Sequence, residues 1–377
     1  MSEIEIDSKI NEINSKVIAG SEINYQEGLF LYEHAETQLL KELSNVVRAR
    51  VHPGKDVTYL VDRNINYTNV CNTDCSFCAF YRHSPKHPES YVLSKEVLAQ
   101  KIQEAKDFGA TRILLQGGHN DELPYSYYIE LVKWIHNDFP TIEINAFSPS
   151  EIHQMHLVSG KSYFEILQEL QTLGLRSLPG GGAEILDDEI RKKVSPKKIS
   201  ADLWIKIMED AQDLGLTTTS TMVIGFDETL VHRMNHLERL KNTQIRSISK
   251  GGKGFNLFVS WALQHNEKTS IGRSKNRDLF GSSIEEYLRH IAFCRIYLEC
   301  IPHHQASWPT FGPEVAAIGL NHGCDDIGST MMEENVVSQA GAPTKDRWCV
   351  SPEELKQYIT GAGYMPLQRN TSFQRVL

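Results

Sequence analysis

Nowhere in this 377-residue chain does an apolar run approach the ~20 residues that span a bilayer. The opening segment, MSEIEIDSKINEINSK, is polar and mixed in charge and lacks the apolar stretch of a secretory leader. No run of Lys or Arg stands out, and the formal net charge is −9. Neither nucleic acid nor an anionic membrane is therefore an expected partner, since both need a basic face. The seven cysteines are an odd number, which fits metal ligation better than a disulfide framework. The expected location is the cytoplasm, where thiols stay reduced. The chain also lacks a Gly-Lys-Ser/Thr after its glycine-rich stretches, which argues against a nucleotide P-loop.

With 40% hydrophobic and 23% charged residues, the chain has the composition of a folded core. Residues 1–50 read as an N-terminal helical extension, with Leu29, Leu31, Leu39, Leu40 and Leu43 at helical spacing. Strand-like and helix-like segments then alternate. The strand candidates are 57–68, 112–117, 142–148, 176–181, 217–225, 255–262, 303–309 and 325–330. Amphipathic stretches lie between them, two of which open on Ser and end on Gly, as helix caps do. Eight β-then-α units predict an α/β fold closed as a (β/α)8 TIM-type barrel, with a doubly wound open sheet as the alternative. Residues 51–310 form its expected core, and 311–377 complete it. The active site of such a barrel forms at the C-terminal rim of the strands.

The strongest motif is CNTDCSFC, which spaces Cys71, Cys75 and Cys78 as Cys-x3-Cys-x2-Cys after the first strand. Three thiolates on one short loop can hold three corners of an iron–sulfur cube. Four-iron ferredoxin clusters use four cysteines. The next cysteine here is Cys294, so one iron would stay open to a ligand. The competing reading is zinc, with His83 or His87 as the fourth ligand. Around this loop, Gln116-Gly117-Gly118 ends the second strand and Gly180-Gly181-Gly182 follows the fourth. Ser148 either faces a ligand or caps a helix. Trp261 and Trp308 close strands six and seven, against a ring-containing substrate or as barrel packing. Asp326 is expected to point toward the rim, where it would bind a substrate hydroxyl, take part in catalysis or only terminate a strand. Thr330-x-x-Glu333 has the form of a capping box. His303, His304, Cys294 and Cys300 are expected to be structural.

With the aromatic Phe77 before its third cysteine, the loop resembles that of radical S-adenosylmethionine (SAM) enzymes. The resemblance implies a [4Fe–4S] cluster on Cys71, Cys75 and Cys78, with SAM chelating the open iron. It places Phe77 near the adenine and Gln116, Gly117 and Gly118 at the methionine amino group, with His119 where the family has Glu. It nominates Ser148, Glu184 and Arg191 as further SAM contacts.

From about residue 30 to 377, the chain is similar to the menaquinone-biosynthesis group that works through futalosine intermediates. The stretches that carry this likeness are NINYTNVCNTDCSFCAFYR, LLQGG, SLPGGGAEIL, QASWPTFGP and GSTMMEENVVSQAG. Trp261 and the QASW of 305–308 favour the cyclase branch over aminofutalosine synthase and the deazaflavin synthase subunits. The implied reaction cyclises dehypoxanthine futalosine: a 5′-deoxyadenosyl radical takes the ribose C4′ hydrogen, and the sugar radical closes onto the benzoate ring. Trp261, Trp308 and Asp326 are the candidate substrate contacts. The implied electron source is a one-electron reductant such as flavodoxin or ferredoxin. The sequence departs from the branch at Val259-Ser260-Trp261, at Gln264-His265 and at Gly323-Cys324-Asp325-Asp326, which leaves the details of substrate contact open.

Overall fold

The computed structural model describes residues 2–376; Met1 and Leu377, the outermost ends of the expected extension and C-terminal segment, lie outside them. Three helices open the chain: Glu3–Ile18, Tyr25–His34 and Thr37–Val51. The first two start on capping boxes, Ser2 with Glu5 and Asn24 with Glu27, which satisfy otherwise orphaned backbone N–H groups. In the third, Leu40, Leu43 and Val47 share one buried face. This face packs on the helix Ile284–Tyr297, while Tyr25–His34 packs on Leu230–Ser249. The three helices thus brace the flank of the molecule.

Ten strands follow: β1 Asp56–Leu60, β2 Asp62–Ile65, β3 Arg112–Leu115, β4 Glu143–Ala146, β5 Leu175–Leu178, β6 Thr217–Ile224, β7 Phe255–Ala262, β8 His303–Ala306, β9 Asp326–Ser329 and β10 Met365–Gln368. All neighbours pair in parallel, in the order β10-β1-β9-β8-β7-β6-β5-β4-β3-β2. β1 and β2 are one stave interrupted at Val61, so its pairing with β9 on one edge (Thr58↔Asp326, Leu60↔Ser329) and with β3 on the other closes the sheet. The result is a (β/α)8 barrel, and each of the eight expected strands contributes a stave. The expected ranges overrun the ladders mainly at the C-terminal ends, as in 303–309 against His303–Ala306, and the surplus residues build the rim loops.

β10 is absent from the sequence reading. It is short (Met365-Pro366-Leu367-Gln368) and pairs only with β1, so Pro366 sits on an edge where a missing N–H is tolerated. It fills the lower part of the edge that β2 higher up shares with β3. Two hydrophobic clusters hold the barrel, a large one across β2 to β7 and a smaller one around β1, β8, β9 and the helix Pro352–Gly361. No helix among the described residues is long and apolar enough to cross a membrane.

Candidate functional site: a three-cysteine loop on a rim cavity

The loop after β2 is held by its own backbone and by neighbouring segments. Cys71 N donates to Arg82 O at 2.9 Å and Cys78 N to Cys75 O at 3.1 Å. The Arg82 guanidinium donates to the carbonyls of Ala79, Phe80 and Tyr81 and so curls the loop's exit. Ser76 anchors the middle: its N and Oγ both donate to Val194 O, and its carbonyl accepts from Ile271 N at 2.9 Å. Asp74 takes a left-handed conformation (φ 52°), which Asp tolerates better than most residues, and pairs with Lys197 and His83. Cys71 and Cys75 are buried and Cys78 is half-buried. Thr73 Oγ1 lies 3.0 Å from Cys71 Sγ and 3.6 Å from Cys75 Sγ. Burial pushes the Cys78 thiol up to about 12 and raises that of Cys75, on which Lys198 has the opposite effect. Neither thiol has the depressed pKa of a free reactive nucleophile.

The sulfur spacing tests which metal group fits. Thiolates on one tetrahedral zinc lie about 3.8 Å apart, from a Zn–S distance of about 2.3 Å. Among the described residues, no trio of His, Cys, Asp or Glu ligand atoms that includes these cysteines falls within 4.8 Å. His83 Nδ1 is instead 2.7 Å from Asp74 Oδ1, and His87 Nδ1 accepts from Glu89 N at 3.2 Å. The loop is too open for a single ion and suits a cube that spreads its ligands over three corners.

The cysteines border a cavity at the rim. On one side stand Gln116, Gly117, Gly118 and His119 after β3, Ser148 and Glu151 after β4, and Gly181, Gly182 and Glu184 after β5. The glycine pair is there because the β3 loop lies directly on the cysteine loop. A Cβ on Gly117 would sit 2.5 Å from the Tyr67 ring, and one on Gly118 would sit 2.1 Å from Val70 O. Gln116 Nε2 donates to Phe147 O at 3.1 Å. Ser148 does both things expected of it: it caps the helix Pro149–Ser159 and it lines the cavity.

Glu151 was missed by the sequence reading. Its Oε1 accepts from Tyr67 OH (2.8 Å) and Gly117 N (2.9 Å), and its Oε2 accepts from Ser148 Oγ (2.8 Å). Burial raises its pKa to about 7, and those three hydrogen bonds act in the opposite direction. Lys198 was missed as well. Its Nζ donates to Glu184 Oε1 at 2.6 Å and lies 5.5 Å from the Phe77 ring centre. His119 is pushed down to about 3 by burial and by the charge of Lys198, so its imidazole stays neutral. The other side of the cavity is lined by Asn64 from β2, Trp261 from β7, Thr310 after β8 and Glu334 after β9. Asn64 Oδ1, Trp261 Nε1 and Thr310 Oγ1 are buried polar atoms without a hydrogen-bond partner, as is Ser150 Oγ on the first side.

Comparison with known proteins identifies the family. Residues 65–240 match the Radical SAM superfamily and residues 252–376 the CofH/MqnC C-terminal region. A cyclic dehypoxanthine futalosine synthase of Halalkalibacterium halodurans is 41% identical over 97% of this chain and 94% of its own length. The chain belongs to the radical SAM superfamily. An aminodeoxyfutalosine synthase of Thermus thermophilus is 33% identical over 98% of the chain and 96% of its own length. A 5-amino-6-(D-ribitylamino)uracil–L-tyrosine 4-hydroxyphenyl transferase of Methanopyrus kandleri is 37% identical over 86% of the chain and 85% of its own length. Among solved structures, methylornithine synthase superposes with a TM-score of 0.72 at 15% identity, covering 94% of this chain and 97% of its own. The hydrogenase maturase HydG of Carboxydothermus hydrogenoformans does so at 0.74 and 17%, covering 98% and 82%. Both likenesses concern the fold alone. As a radical SAM enzyme, the protein uses a [4Fe–4S] cluster and SAM, and the three-cysteine loop suits that pair.

In this radical SAM barrel, ten of the thirteen expected site residues border the cavity: Cys71, Cys75, Phe77, Cys78, Gln116, Gly117, Gly118, Ser148, Glu184 and Trp261. Three do not. Arg191 is buried behind the β5 loop, where its guanidinium donates to the carbonyls of Gly182, Ala183 and Ile199 and lies 3.5 Å from Glu184 Oε2. It shapes the loop that carries Glu184 and does not reach the cavity. Trp308 is buried in the smaller cluster with its Nε1 donating to Ser329 O at 2.7 Å, so barrel packing explains it. Asp326 begins β9, at the barrel end opposite the rim, where it accepts from Arg369 Nε and Thr58 Oγ1, both at 2.6 Å. The expectation that it points to the rim confused the start of a strand with its end. The capping-box reading of Thr330 and Glu333 also fails, because Thr330 Oγ1 donates to Asp62 O and Glu333 pairs with Arg63 and Lys101.

Proposed function

We propose that this radical SAM enzyme cyclises dehypoxanthine futalosine in the futalosine route to menaquinone. Full-length identity of 41% and 35% to two proteins named cyclic dehypoxanthine futalosine synthase supports the reading. The observation that carries it is the second half of the cavity. Beyond the cofactor side, Trp261 offers a ring face, and Asn64 Oδ1, Trp261 Nε1 and Thr310 Oγ1 stand unpaired. Unpaired polar atoms on the wall of a cavity are available to the donors and acceptors of a ligand. A substrate that joins an aromatic ring to a hydroxylated sugar supplies both complements.

When bound, the cluster and SAM supply a carbon radical able to take hydrogen from an unactivated sugar C–H. The chain's own residues position and shield. Cys71, Cys75 and Cys78 hold the cluster. Phe77, 5.2 Å from the Phe226 ring, offers the adenine a supported apolar face. Gln116, Gly117, Gly118 and Ser148 would hold the methionine end of SAM, with Glu151 fixing Gly117 and Ser148 from behind. The Glu184–Lys198 pair offers a carboxylate and an ammonium to a zwitterionic cofactor. Trp261 orients the substrate ring, and the walls keep water from the reacting carbon. A one-electron carrier such as flavodoxin or ferredoxin provides the electron.

Anaerobic incubation with dehypoxanthine futalosine, SAM and dithionite tests the proposal by mass spectrometry. The expected result is free 5′-deoxyadenosine and a product isomeric with the substrate less two hydrogens. An adenosyl group retained in the product, or turnover only with tyrosine, overturns it in favour of the chemistry named for the other relatives.

A further inference from the structure

We propose that the face outside the cysteine loop is the docking surface for the electron donor, and that the donor is a small acidic carrier protein of the flavodoxin type. The inference rests on the cluster assignment above and is independent of the organic substrate. Cys78 and Tyr81 line two cavities at once: the rim cavity, and a more open outer depression. The depression is walled by Arg82, His83, His87, Lys268 and Arg273, so its floor lies against a cluster ligand. The two segments that form it are joined where Ile271 N donates to Ser76 O in the cysteine loop.

The charge of this face runs against that of the molecule. Its lining holds Arg82, Lys268 and Arg273 and no Asp or Glu, on a chain of net −9. Glu89 is tied to Arg82 by an ion pair, and Asp74 at the edge is tied to Lys197 and His83. Among the described residues, Lys268 and Arg273 have no carboxylate partner; the Arg273 guanidinium donates instead to the carbonyls of Glu267 and Lys268 and to Ser270 Oγ. Holding these charges together costs repulsion unless something negative meets them. An acidic carrier would be steered here by the field and would dock against the surface that Cys78 lines. One electron then leaves the carrier's reduced flavin and enters the cluster, and no bond or proton is exchanged.

The test pairs Lys268→Glu/Arg273→Glu with Lys268→Gln/Arg273→Gln, at positions outside the rim cavity. Binding of a labelled flavodoxin to the reconstituted enzyme is followed by anisotropy, and cluster reduction by flavodoxin hydroquinone is followed by absorbance, both without substrate. At low ionic strength, the reversal variant is expected to bind and to be reduced about tenfold or more slowly and weakly than the parent. The neutral variant should fall between them with a shallower salt dependence, while dithionite reduces all three alike. Parental binding and rate in the reversal variant overturn the proposal. If that variant does not fold, an unchanged salt dependence in the neutral variant overturns it equally. Loss of the dehypoxanthine futalosine activity in the parent would leave these readings intact and would count against the proposed substrate alone.

Discussion

Glu151 shows how much of the site's work falls to a side chain that no motif announces. It lies three residues after Ser148 in FSPSEIH, the spacing of a helix-start pair, and the helix cap it suggests is real. What the spacing cannot tell is that its carboxyl turns inward and gathers Tyr67, Gly117 and Ser148, which come from three different strand ends. Because burial raises its folded-state pKa to about 7 from 4.5, the folded protein binds more protons than the unfolded chain between those values. Its contribution is complete below pH 4.5 and is lost as pH rises through about 7. Denaturation of the cluster-free protein across that window should show the parent losing about 3 kcal/mol relative to Glu151→Gln. Parallel pH profiles would contradict the assignment. At Trp261, replacement by Ala should lower cyclised product about tenfold or more, since it removes both ring contact and an N–H donor. The 5′-deoxyadenosine formed without substrate should persist, and equal loss of both would mean that Trp261 only packs.

Among the elements, strands were legible where the ladder is long and alternating. β6, TTTSTMVI, buries every second residue, and that alternation is visible in the sequence. β10 was not legible because four residues that pair on one edge leave no periodicity to read. Asp326 was misplaced for a related reason: an acid beside a strand looks the same at either end. Its ion pair with Arg369 joins β9 to the residue after β10, and both partners are buried. Asp326→Ala should cost about 3–5 kcal/mol in chemical denaturation by stranding the guanidinium, with SAM cleavage per cluster unchanged. At the β3 loop, Gly118→Ala should lower iron bound per chain while far-ultraviolet circular dichroism stays native, because the added methyl meets Val70 O at 2.1 Å. Iron content equal to the parent would show that the two loops can separate at no cost.

For the molecule as a whole, the half of the cavity proposed for the cofactors was readable because its residues sit in short local motifs: the cysteines and Phe77 in one octapeptide, and the glycines at a strand end. The half proposed for the substrate was readable only at Trp261. Asn64, Thr310 and Glu334 come from three separate elements that only barrel closure brings together. The supporting cations Arg191 and Lys198 follow the same rule, for no spacing reveals which carbonyl or carboxylate they hold. The most direct measurement is electron–nuclear double resonance on the reduced cluster, with SAM isotopically labelled at its amino nitrogen. A barrel that anchors its cube through Cys71, Cys75 and Cys78 alone predicts a hyperfine coupling from that nitrogen to the fourth iron, lost in Cys75→Ala together with SAM cleavage. A reduced cluster that shows no such coupling, because a fourth side chain fills the position, would contradict the account.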